Sequence, residues 1–222
     1  MSSKSTAKFN PDCRECSRLA GFLDQVSSKH PDYHARPVAA FGDNKARLLI
    51  IGLAPGMHGA NASGRPFTGD FAGILLYQTL FDFGLSNLPE SVARDDALTL
   101  QGCRITNAVK CLPPQNKPLL EEVRNCNRYL QAEIAGLPQP AVVMALGKLA
   151  HDAVLRALNL RLSGYPFGHA RIHVLPDGLQ LVDSYHCSRY NTQTRRLTPD
   201  MFADVFRIAE KLLDETAAPV RN

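Results

Sequence analysis

The sequence predicts an α/β fold, a three-layer α/β/α sandwich with a mostly parallel central sheet. Short apolar runs of strand length recur along the chain, and longer segments with a helical pattern lie between them. Strands that alternate with helices favour a parallel sheet with helices on both faces. With 222 residues, 45% of them hydrophobic, the chain is expected to form one domain over 1–222, with flexible tails at about 1–9 and 216–222.

Each element follows from its pattern of apolar residues. The runs at 47–51 and 141–146 are apolar almost throughout, which is typical of strands that are buried on both faces. The predicted strands are 47–51, 104–109, 141–146, 171–175 and 179–183. The predicted helices are about 12–27, 71–83, 119–135, 147–158 and 199–215.

Charge and composition exclude several classes of protein. The formal net charge is +4, which is compatible with an anionic partner but far from a histone-like polycation. No apolar run is long enough to span a membrane, and the polar N-terminus lacks the apolar segment of a signal peptide. We therefore expect a cytoplasmic protein, in which the six cysteines are reduced and available to a metal or cluster.

Ligands of open α/β sheets gather where loops leave the carboxyl ends of strands. The first such loop, 52–70, contains five glycines and ends at Asp70, before a predicted helix. Glycines let backbone approach a ligand closely, although the loop is also compatible with a plain connection in which Asp70 caps the helix. No Gly-Lys-Ser/Thr follows the glycines, so a nucleoside triphosphate site is excluded.

Two further strand ends carry polar side chains. Asn107 interrupts an apolar strand, where its amide either reads the polar edge of a planar base or is satisfied within the core. His186 follows the last strand and is placed to donate a hydrogen bond to a developing anion. Arg189, Arg195 and Arg196 come after it and can hold phosphates, unless the segment is a solvated basic loop with a structural histidine.

Four cysteines form two pairs. Cys13 and Cys16 make a CxxC motif, and Cys111 and Cys126 are separated by fourteen residues. Four thiolates suit tetrahedral zinc or a [4Fe–4S] cluster, and the residues alone do not separate the two. A redox dithiol and four unrelated buried thiols are the alternatives. The two cysteines outside these pairs are Cys103 and Cys187.

Taken together, the motifs GLAPG…GRPFTGD, TNAVKC and SYHCSRYNTQT, with the four spaced cysteines, resemble the uracil-DNA glycosylase superfamily. The resemblance is to its iron–sulfur family 5 (type B) and extends from Cys13 to about Thr198. It implies a glycosylase of base-excision repair that flips a deaminated base out of the duplex and cuts its N-glycosidic bond.

The resemblance assigns roles to individual residues. Asp70 matches the carboxylate that activates water or stabilises the oxocarbenium ion, and His186 matches the histidine that stabilises the departing base. Phe67 matches the aromatic residue that stacks on the base, and Asn107 matches the amide that reads its edge. Gly52 and Ala54 complete the predicted base-binding set, Arg189, Arg195 and Arg196 are the predicted DNA-binding residues, and Cys13, Cys16, Cys111 and Cys126 match the ligands of a 4Fe-4S cluster.

Two departures from the superfamily shape the expectation. Leu53 and Ala54 replace a polar side chain that could hold water, which shifts this role to Asp70 and lets the pocket tolerate purine lesions. Cys187 replaces the proline of the usual His-Pro-Ser, which leaves the loop less restricted and adds a thiol beside His186.

We thus expect a monofunctional glycosylase for uracil, hypoxanthine and xanthine, without lyase activity because no motif position offers a Schiff-base lysine. The expected substrate is double-stranded, and also single-stranded, DNA containing deaminated bases. We expect a monomer without a membrane partner, associated with a prokaryotic nucleoid. The alternatives are a family 4-like enzyme restricted to uracil and a non-catalytic iron–sulfur module that binds nucleic acid.

Overall fold

The computed structural model describes residues 7–217, which contain six β-strands and seven α-helices. The strands are β1 (Phe41–Gly42), β2 (Leu48–Gly52), β3 (Cys103–Asn107), β4 (Val142–Leu146), β5 (Ile172–Val174) and β6 (Gln180–Ser184). The helices are α1 (Ser17–Lys29), α2 (Ala60–Ser63), α3 (Phe71–Asp82), α4 (Leu120–Ala135), α5 (Lys148–Ala157), α6 (Arg189–Gln193) and α7 (Pro199–Ala217). The predicted flexible tails fall largely outside the described residues.

The strands form one sheet in the order β1-β3-β2-β4-β6-β5. The four central strands are parallel, and β1 and β5 pair antiparallel at the two edges. The register places Gly52 beside Asn107, so the carboxyl ends of neighbouring strands meet at one edge. The predicted fold class, with a mostly parallel sheet, is confirmed.

Alternate side chains of the central strands pack against two different layers of helices, because side chains alternate between faces along a strand. Leu49 and Ile51 of β2 face α1, α4 and α5, and Leu48 and Ile50 face α3 and α7. Both sets are buried, which explains why this segment is apolar without alternation. No helix within residues 7–217 is long and apolar enough to cross a membrane.

Some boundaries differ from the prediction in ways that affect the site. Helix α1 begins at Ser17 rather than near Asp12, so the CxxC motif precedes the helix. Strand β3 ends at Asn107, which places this amide at the strand end instead of inside it. The short helices α2 and α6 were not predicted, because single turns inside polar loops leave no periodic apolar pattern.

Candidate active site

A cavity of about 470 Å³ lies at the carboxyl edge of the sheet, as expected for ligand sites in open α/β folds. Loops after β2, β3, β4 and β6 contribute to its lining. The predicted site residues that line it are Ala54, Phe67, Asp70, Asn107, His186 and Arg189. Arg195 and Arg196 do not line it, and Gly52 lies behind Phe67 and Asn107.

Asp70 precedes α3, yet its carboxylate does not cap that helix. It turns back to the glycine-rich loop, where Oδ2 accepts the Ala60 N–H at 3.1 Å. Burial raises the pKa of Asp70, and the N–H groups of Ala60 and Gly56 and the nearby His58 act in the opposite direction. His58 is itself held by the Tyr33 hydroxyl, 2.8 Å from its Nδ1. The loop therefore supplies donors for a partly buried carboxylate, and the expectation of a plain helix cap is wrong.

Two glycines make room for this carboxylate. A methyl group on Gly56 would lie 2.3 Å from Asp70 Oδ1, and one on Gly59 would lie 2.0 Å from the same atom. Neither distance is compatible with van der Waals contact, so a larger residue would displace the carboxylate. These two glycines thus leave the space that the Asp70 carboxylate occupies.

Gly52 has a similar role at the floor of the cavity. A methyl group there would lie 2.5 Å from Asn107 Oδ1 and 2.6 Å from the Phe67 ring. Both side chains are buried, so they have little freedom to move away. The absence of a side chain at Gly52 therefore lets the amide and the aromatic ring come together.

Phe67 is held in an uncommon backbone conformation. Its φ is 60°, in the left-handed region that non-glycine residues rarely adopt and that costs about 1–3 kcal/mol. Gly73 allows α3 to pack on it, because a methyl group there would lie 1.9 Å from the Phe67 carbonyl oxygen. The Tyr77 hydroxyl donates to the neighbouring Pro66 carbonyl at 2.7 Å. These contacts fix the ring, whose centroid is 6.0 Å from that of His186.

The GRPFTGD segment is also tied to a distant loop that sequence reasoning missed. The buried Arg65 guanidinium donates to Ser91 Oγ at 3.0 Å and forms an ion pair with Asp96. Thr68 Oγ1 lies 2.6 Å from the same serine oxygen. Although burial raises the pKa of Asp96, the Arg65 guanidinium and three backbone N–H groups hold it below its usual value. Ser91 and Asp96 thus hold Arg65 and Thr68, the residues on either side of the Pro66–Phe67 pair, in place.

His186 forms another wall of the cavity. The Asn191 amide donates to the His186 carbonyl at 2.8 Å and fixes its backbone. Its ring Nδ1 is buried and has no hydrogen-bond partner among the described residues. Burial lowers the pKa of His186 to about 4. The imidazole is therefore neutral at neutral pH.

The start of α5 adds residues to the cavity that were not predicted. Gly147, at φ 93°, packs against His186, and a methyl group there would lie 3.3 Å from the histidine Cβ. Lys148 and Leu149 follow it in the lining. The lysine Nζ is 2.7 Å from Asp152, so it is paired with a carboxylate at the surface. The sequence signal that could have predicted these residues is a glycine, Gly147, directly after an apolar strand.

The remaining lining residues are Leu53, Gly56, Phe71, Ala72, Asn116, Leu146 and Ser188.

The three predicted DNA-binding arginines occupy different environments. The guanidinium carbon of Arg189 lies 4.8 Å from the centre of the Phe71 ring, at the cavity. That of Arg196 lies 4.7 Å from the Tyr185 ring, and Arg195 is exposed. All three are close to His186 in the chain, but only Arg189 reaches the cavity itself.

The four paired cysteines lie near one another in the fold, although they are far apart in the sequence. Cys13 and Cys16 precede α1, Cys111 follows β3, and Cys126 lies on α4. Burial and then repulsion from the other three sulfurs raise the pKa of Cys111, which places all four in one neighbourhood. Burial likewise raises the pKa of Cys126 to about 11.

Polar side chains surround these sulfurs. The Asn125 amide nitrogen lies 3.5 Å from Cys16 Sγ, and an Arg128 guanidinium nitrogen lies 3.8 Å from Cys13 Sγ. The buried Glu122 of α4 pairs with Arg18 of α1 at 2.7 Å, which joins the two helices beside the cysteines. Burial raises the pKa of Cys16, and the hydrogen bond from Asn125 opposes this rise without cancelling it.

The remaining cysteines are buried thiols. Burial raises the pKa of Cys103 and that of Cys187 to about 12 each. Both are therefore protonated at neutral pH and poor nucleophiles toward oxidants. The thiol beside His186 is thus shielded by its burial.

Sequence comparison identifies the family. The sequence model of the uracil DNA glycosylase superfamily matches residues 39–210. This chain belongs to the uracil DNA glycosylase superfamily. The type-5 uracil-DNA glycosylase of Thermus thermophilus is 48% identical over 205 residues, which cover 90% of this chain and 93% of that protein. The type-5 enzyme of Pyrobaculum aerophilum is 41% identical, covering 89% and 88%.

More distant members of the superfamily match less of the chain. The type-4 uracil-DNA glycosylase of Pyrobaculum aerophilum is 36% identical over 130 residues, 58% of each chain. The crystal structure of Pedobacter heparinus SMUG2 has a TM-score of 0.51 at 15% identity, covering 96% of this chain and 95% of that one, and it shows the shared fold. The matches confirm the predicted superfamily and the predicted enzyme class, a DNA glycosylase.

Proposed function

We propose that this chain is a monofunctional type-5 uracil-DNA glycosylase that flips uracil out of DNA and hydrolyses its N-glycosidic bond. The observation that carries the proposal is that one cavity is lined by both a carboxylate held by backbone donors, Asp70, and a neutral histidine, His186. A binding module has no need of this pair. Type-5 relatives match about 90% of the chain, which supports type 5 over the uracil-restricted type 4.

The pair suits the charges that develop when the bond between C1′ and the base breaks. The electron pair leaves with the base, so the sugar becomes positive and the base negative. The Asp70 carboxylate stabilises the sugar cation, and the N–H of neutral His186 donates to the base oxygen that becomes negative. Water then adds to C1′ and gives its proton to Asp70. Burial lowers the pKa of His186 to about 4, so this donor is neutral at neutral pH.

Asn107 and Phe67 bind the flipped base in this proposal. The amide presents both a donor and an acceptor to the base edge, and the ring supplies a stacking surface worth about 1–3 kcal/mol per base. Leu53 and Ala54 line the cavity without a polar group that discriminates against other bases. These features support hypoxanthine and xanthine as further substrates.

The lysines support hydrolysis without strand cleavage by the enzyme. Lys110 is buried and held by Glu133 at 2.8 Å and 2.9 Å, as well as by Thr106. Lys148 lines the cavity, but its amine is paired with the Asp152 carboxylate at 2.7 Å. A Schiff-base mechanism needs a free amine near C1′.

The four paired cysteines are proposed to hold a 4Fe-4S cluster. Thiolates around one zinc ion would lie about 3.8 Å apart, given Zn–S bonds of about 2.3 Å. Among the described residues, no three cysteine sulfurs lie within 4.8 Å of one another. The sulfurs are thus not gathered as one tetrahedral zinc ion requires. The cluster itself is proposed from the resemblance of the four spaced cysteines to the iron–sulfur family. A cluster held by these residues would join the CxxC segment to the loop after β3 and to α4, and its binding free energy would stabilise the fold.

Iron analysis tests this assignment. Protein purified without oxygen is expected to be brown and to contain about four irons per chain. Cys13→Ser and Cys126→Ser should lose iron and unfold at lower temperature, whereas Cys103→Ser, a buried cysteine outside the set, should keep its iron. One zinc per chain in colourless protein would contradict the assignment.

DNA contacts are proposed for the three arginines that follow His186 in the chain, of which Arg189 lines the cavity. Each phosphate contact releases a counterion, so its loss lowers the salt dependence of binding by about one unit of slope. We expect this change for Arg189→Ala, Arg195→Ala and Arg196→Ala. An unchanged slope in all three variants would mean that DNA does not contact these arginines.

We further propose that the chain acts as a monomer, on single-stranded as well as double-stranded DNA. Its proposed location is the nucleoid in the cytoplasm.

The test of the proposed function is a labelled duplex with one uracil. Wild-type protein should leave a site that breaks in hot alkali, but borohydride should trap no covalent complex. Duplexes with hypoxanthine and xanthine measure the wider substrate range, and an undamaged duplex is the control. Absence of alkali-sensitive sites in the uracil duplex would refute the proposal.

A further inference from the structure

A buried carboxylate lies three residues before His186 and has no part in the chemistry above. Asp183 is in β6, and its side chain is fully buried. Its Oδ1 is 2.7 Å from His151 Nδ1, and its Oδ2 is 3.3 Å from both His173 Nε2 and the Gly168 N–H. One carboxylate thus receives three hydrogen bonds.

The donors come from three separate parts of the fold. His151 lies on α5, His173 on the edge strand β5, and Gly168 on the segment that precedes β5. The same helix α5 starts beside the cavity, where the Gly147 N–H donates to the Ser184 carbonyl at 2.8 Å. Asp183 therefore connects the strand that leads to His186 with the helix that packs against His186.

The cluster has the composition of a metal site, but its hydrogen bonds oppose that interpretation. His151 Nε2 lies 2.8 Å from the Tyr165 carbonyl, so both ring nitrogens of this histidine face oxygen acceptors. Each ring nitrogen is thus already engaged with an oxygen, and a metal would have to break one of these hydrogen bonds. The cluster contains no other ligand-type side chain among the described residues. A satisfied network of hydrogen bonds explains the geometry without an ion.

We propose that Asp183 is a positioning residue for cleavage, which sets the place of His186 by fixing β6 against α5 and β5. This inference rests on the proposed function, in which His186 stabilises the departing base. A strand end is otherwise free to shift where its loop begins, and small displacements of a donor from a developing charge are costly to the rate. His151 and His173 act with Asp183 as its donors.

A double-mutant cycle separates positioning from simple stability. Asp183→Asn keeps the side-chain size but replaces one acceptor by a donor that opposes its partners. We expect single-turnover cleavage of uracil DNA to fall about tenfold or more, with little change in affinity for an uncleavable duplex. In a His186→Ala background the same substitution should change the rate by less than about twofold, because there is no longer a ring to position.

Control and companion variants keep the test decisive. Val154→Ala removes buried volume from the same helix, so it should lower thermal stability without lowering the single-turnover rate. His151→Gln is the second variant if Asp183→Asn does not fold, and it should show the same loss and the same dependence on His186. A full rate in folded Asp183→Asn, or an equal loss with and without His186, would overturn the proposal. So would one bound zinc per chain that Asp183→Asn removes.

A spectroscopic measurement distinguishes failure of this inference from failure of the proposed function. The ring resonances of His186 in nitrogen-15-labelled protein should shift or broaden in Asp183→Asn and stay in place in Val154→Ala. This measurement needs no substrate. If wild-type protein cleaved no uracil DNA, the proposed function would fail, while the effect of Asp183 on His186 would still be decided by these spectra.

Discussion

The Asp70 side and the His186 side of the cavity respond to burial differently. Burial disfavours the charged form of both side chains, so it raises the pKa of Asp70 and lowers that of His186. Asp70 has backbone donors that counteract the effect, whereas His186 has a buried ring nitrogen with no partner among residues 7–217. The comparison teaches that backbone donors oppose the effect of burial on the pKa of Asp70, whereas no such donor or charge in the described part of the chain offsets it for His186.

The two sides of the cavity therefore differ in the kind of group that they present, a carboxylate on one side and a neutral ring on the other. The glycine-rich loop is built to hold an anion, and the loop after β6 is built to hold a neutral donor. This arrangement suits the proposed reaction at C1′, in which the sugar and the base develop opposite charges. The predictions below alter one side at a time, from the largest expected effect to the smallest.

Removing the charge of Asp70 should have the largest effect. Asp70→Asn keeps the size of the side chain, but single-turnover cleavage of uracil DNA should fall on the order of 100- to 1000-fold, while binding of an uncleavable duplex persists. Asp82→Asn, on the exposed far end of α3, is the matched control and should retain the wild-type rate. A near wild-type rate in Asp70→Asn would mean that another group performs this role.

Displacing the Asp70 carboxylate without removing it should have the next largest effect on the cleavage rate. Gly59→Ala introduces a methyl group that would lie 2.0 Å from Asp70 Oδ1. We expect the cleavage rate to fall about 100-fold, the cost of displacing a catalytic group by about 1 Å. Gly21→Ala is the control, because nothing lies within 4 Å of the added methyl group in α1 and the helix should be stabilised. Equal rates for the two variants would show that the loop does not fix the carboxylate.

The sequence predicted the buried strands of the sheet and three polar residues of the cavity. Apolar runs at 47–51 and 141–146 predicted buried strands correctly, because a strand covered on both faces must be apolar. Asn107 and His186 were predicted because each is polar at or just after a strand, and Asp70 was predicted because it closes the glycine-rich loop that follows the first buried strand.

The supporting residues were missed for a physical reason. Asp96 reaches Arg65 through a loop without periodic pattern, and the contact of Gly59 with Asp70 exists only after folding. Asp183 did carry a signal, since a carboxylate in an apolar strand needs buried partners. Its donors, His151 and His173, lie on other elements and could not be assigned from spacing alone.

The neutral state of His186 should appear as a dependence of stability on pH. Its pKa in the folded protein, about 4, lies below the value near 6.5 of an unfolded chain. The associated stability is therefore complete above about pH 6.5 and is lost as pH falls toward 4. Between pH 7 and pH 4.5 wild type should lose about 2 kcal/mol more unfolding free energy than His186→Gln. Urea unfolding at the two pH values measures this difference, and equal losses would show that His186 titrates normally.

The smallest effect is expected from loosening the His186 side without touching the ring. Asn191 donates to the His186 carbonyl at 2.8 Å, and one such hydrogen bond contributes about 1 kcal/mol. Asn191→Ala should therefore slow single-turnover cleavage about fivefold, the factor that corresponds to this free energy. Thr194→Ala, one turn further along the same segment, is the control. Its hydroxyl donates to the backbone carbonyls of Tyr190, at 2.7 Å, and Asn191, at 3.5 Å, and leaves the bond from the Asn191 amide to His186 in place. Because Asn191 acts only by placing His186, its loss should disappear in a His186→Ala background, as for Asp183→Asn. A loss that persists there would assign Asn191 to DNA contact, and the His186 side would then depend on the β6 network alone for its position.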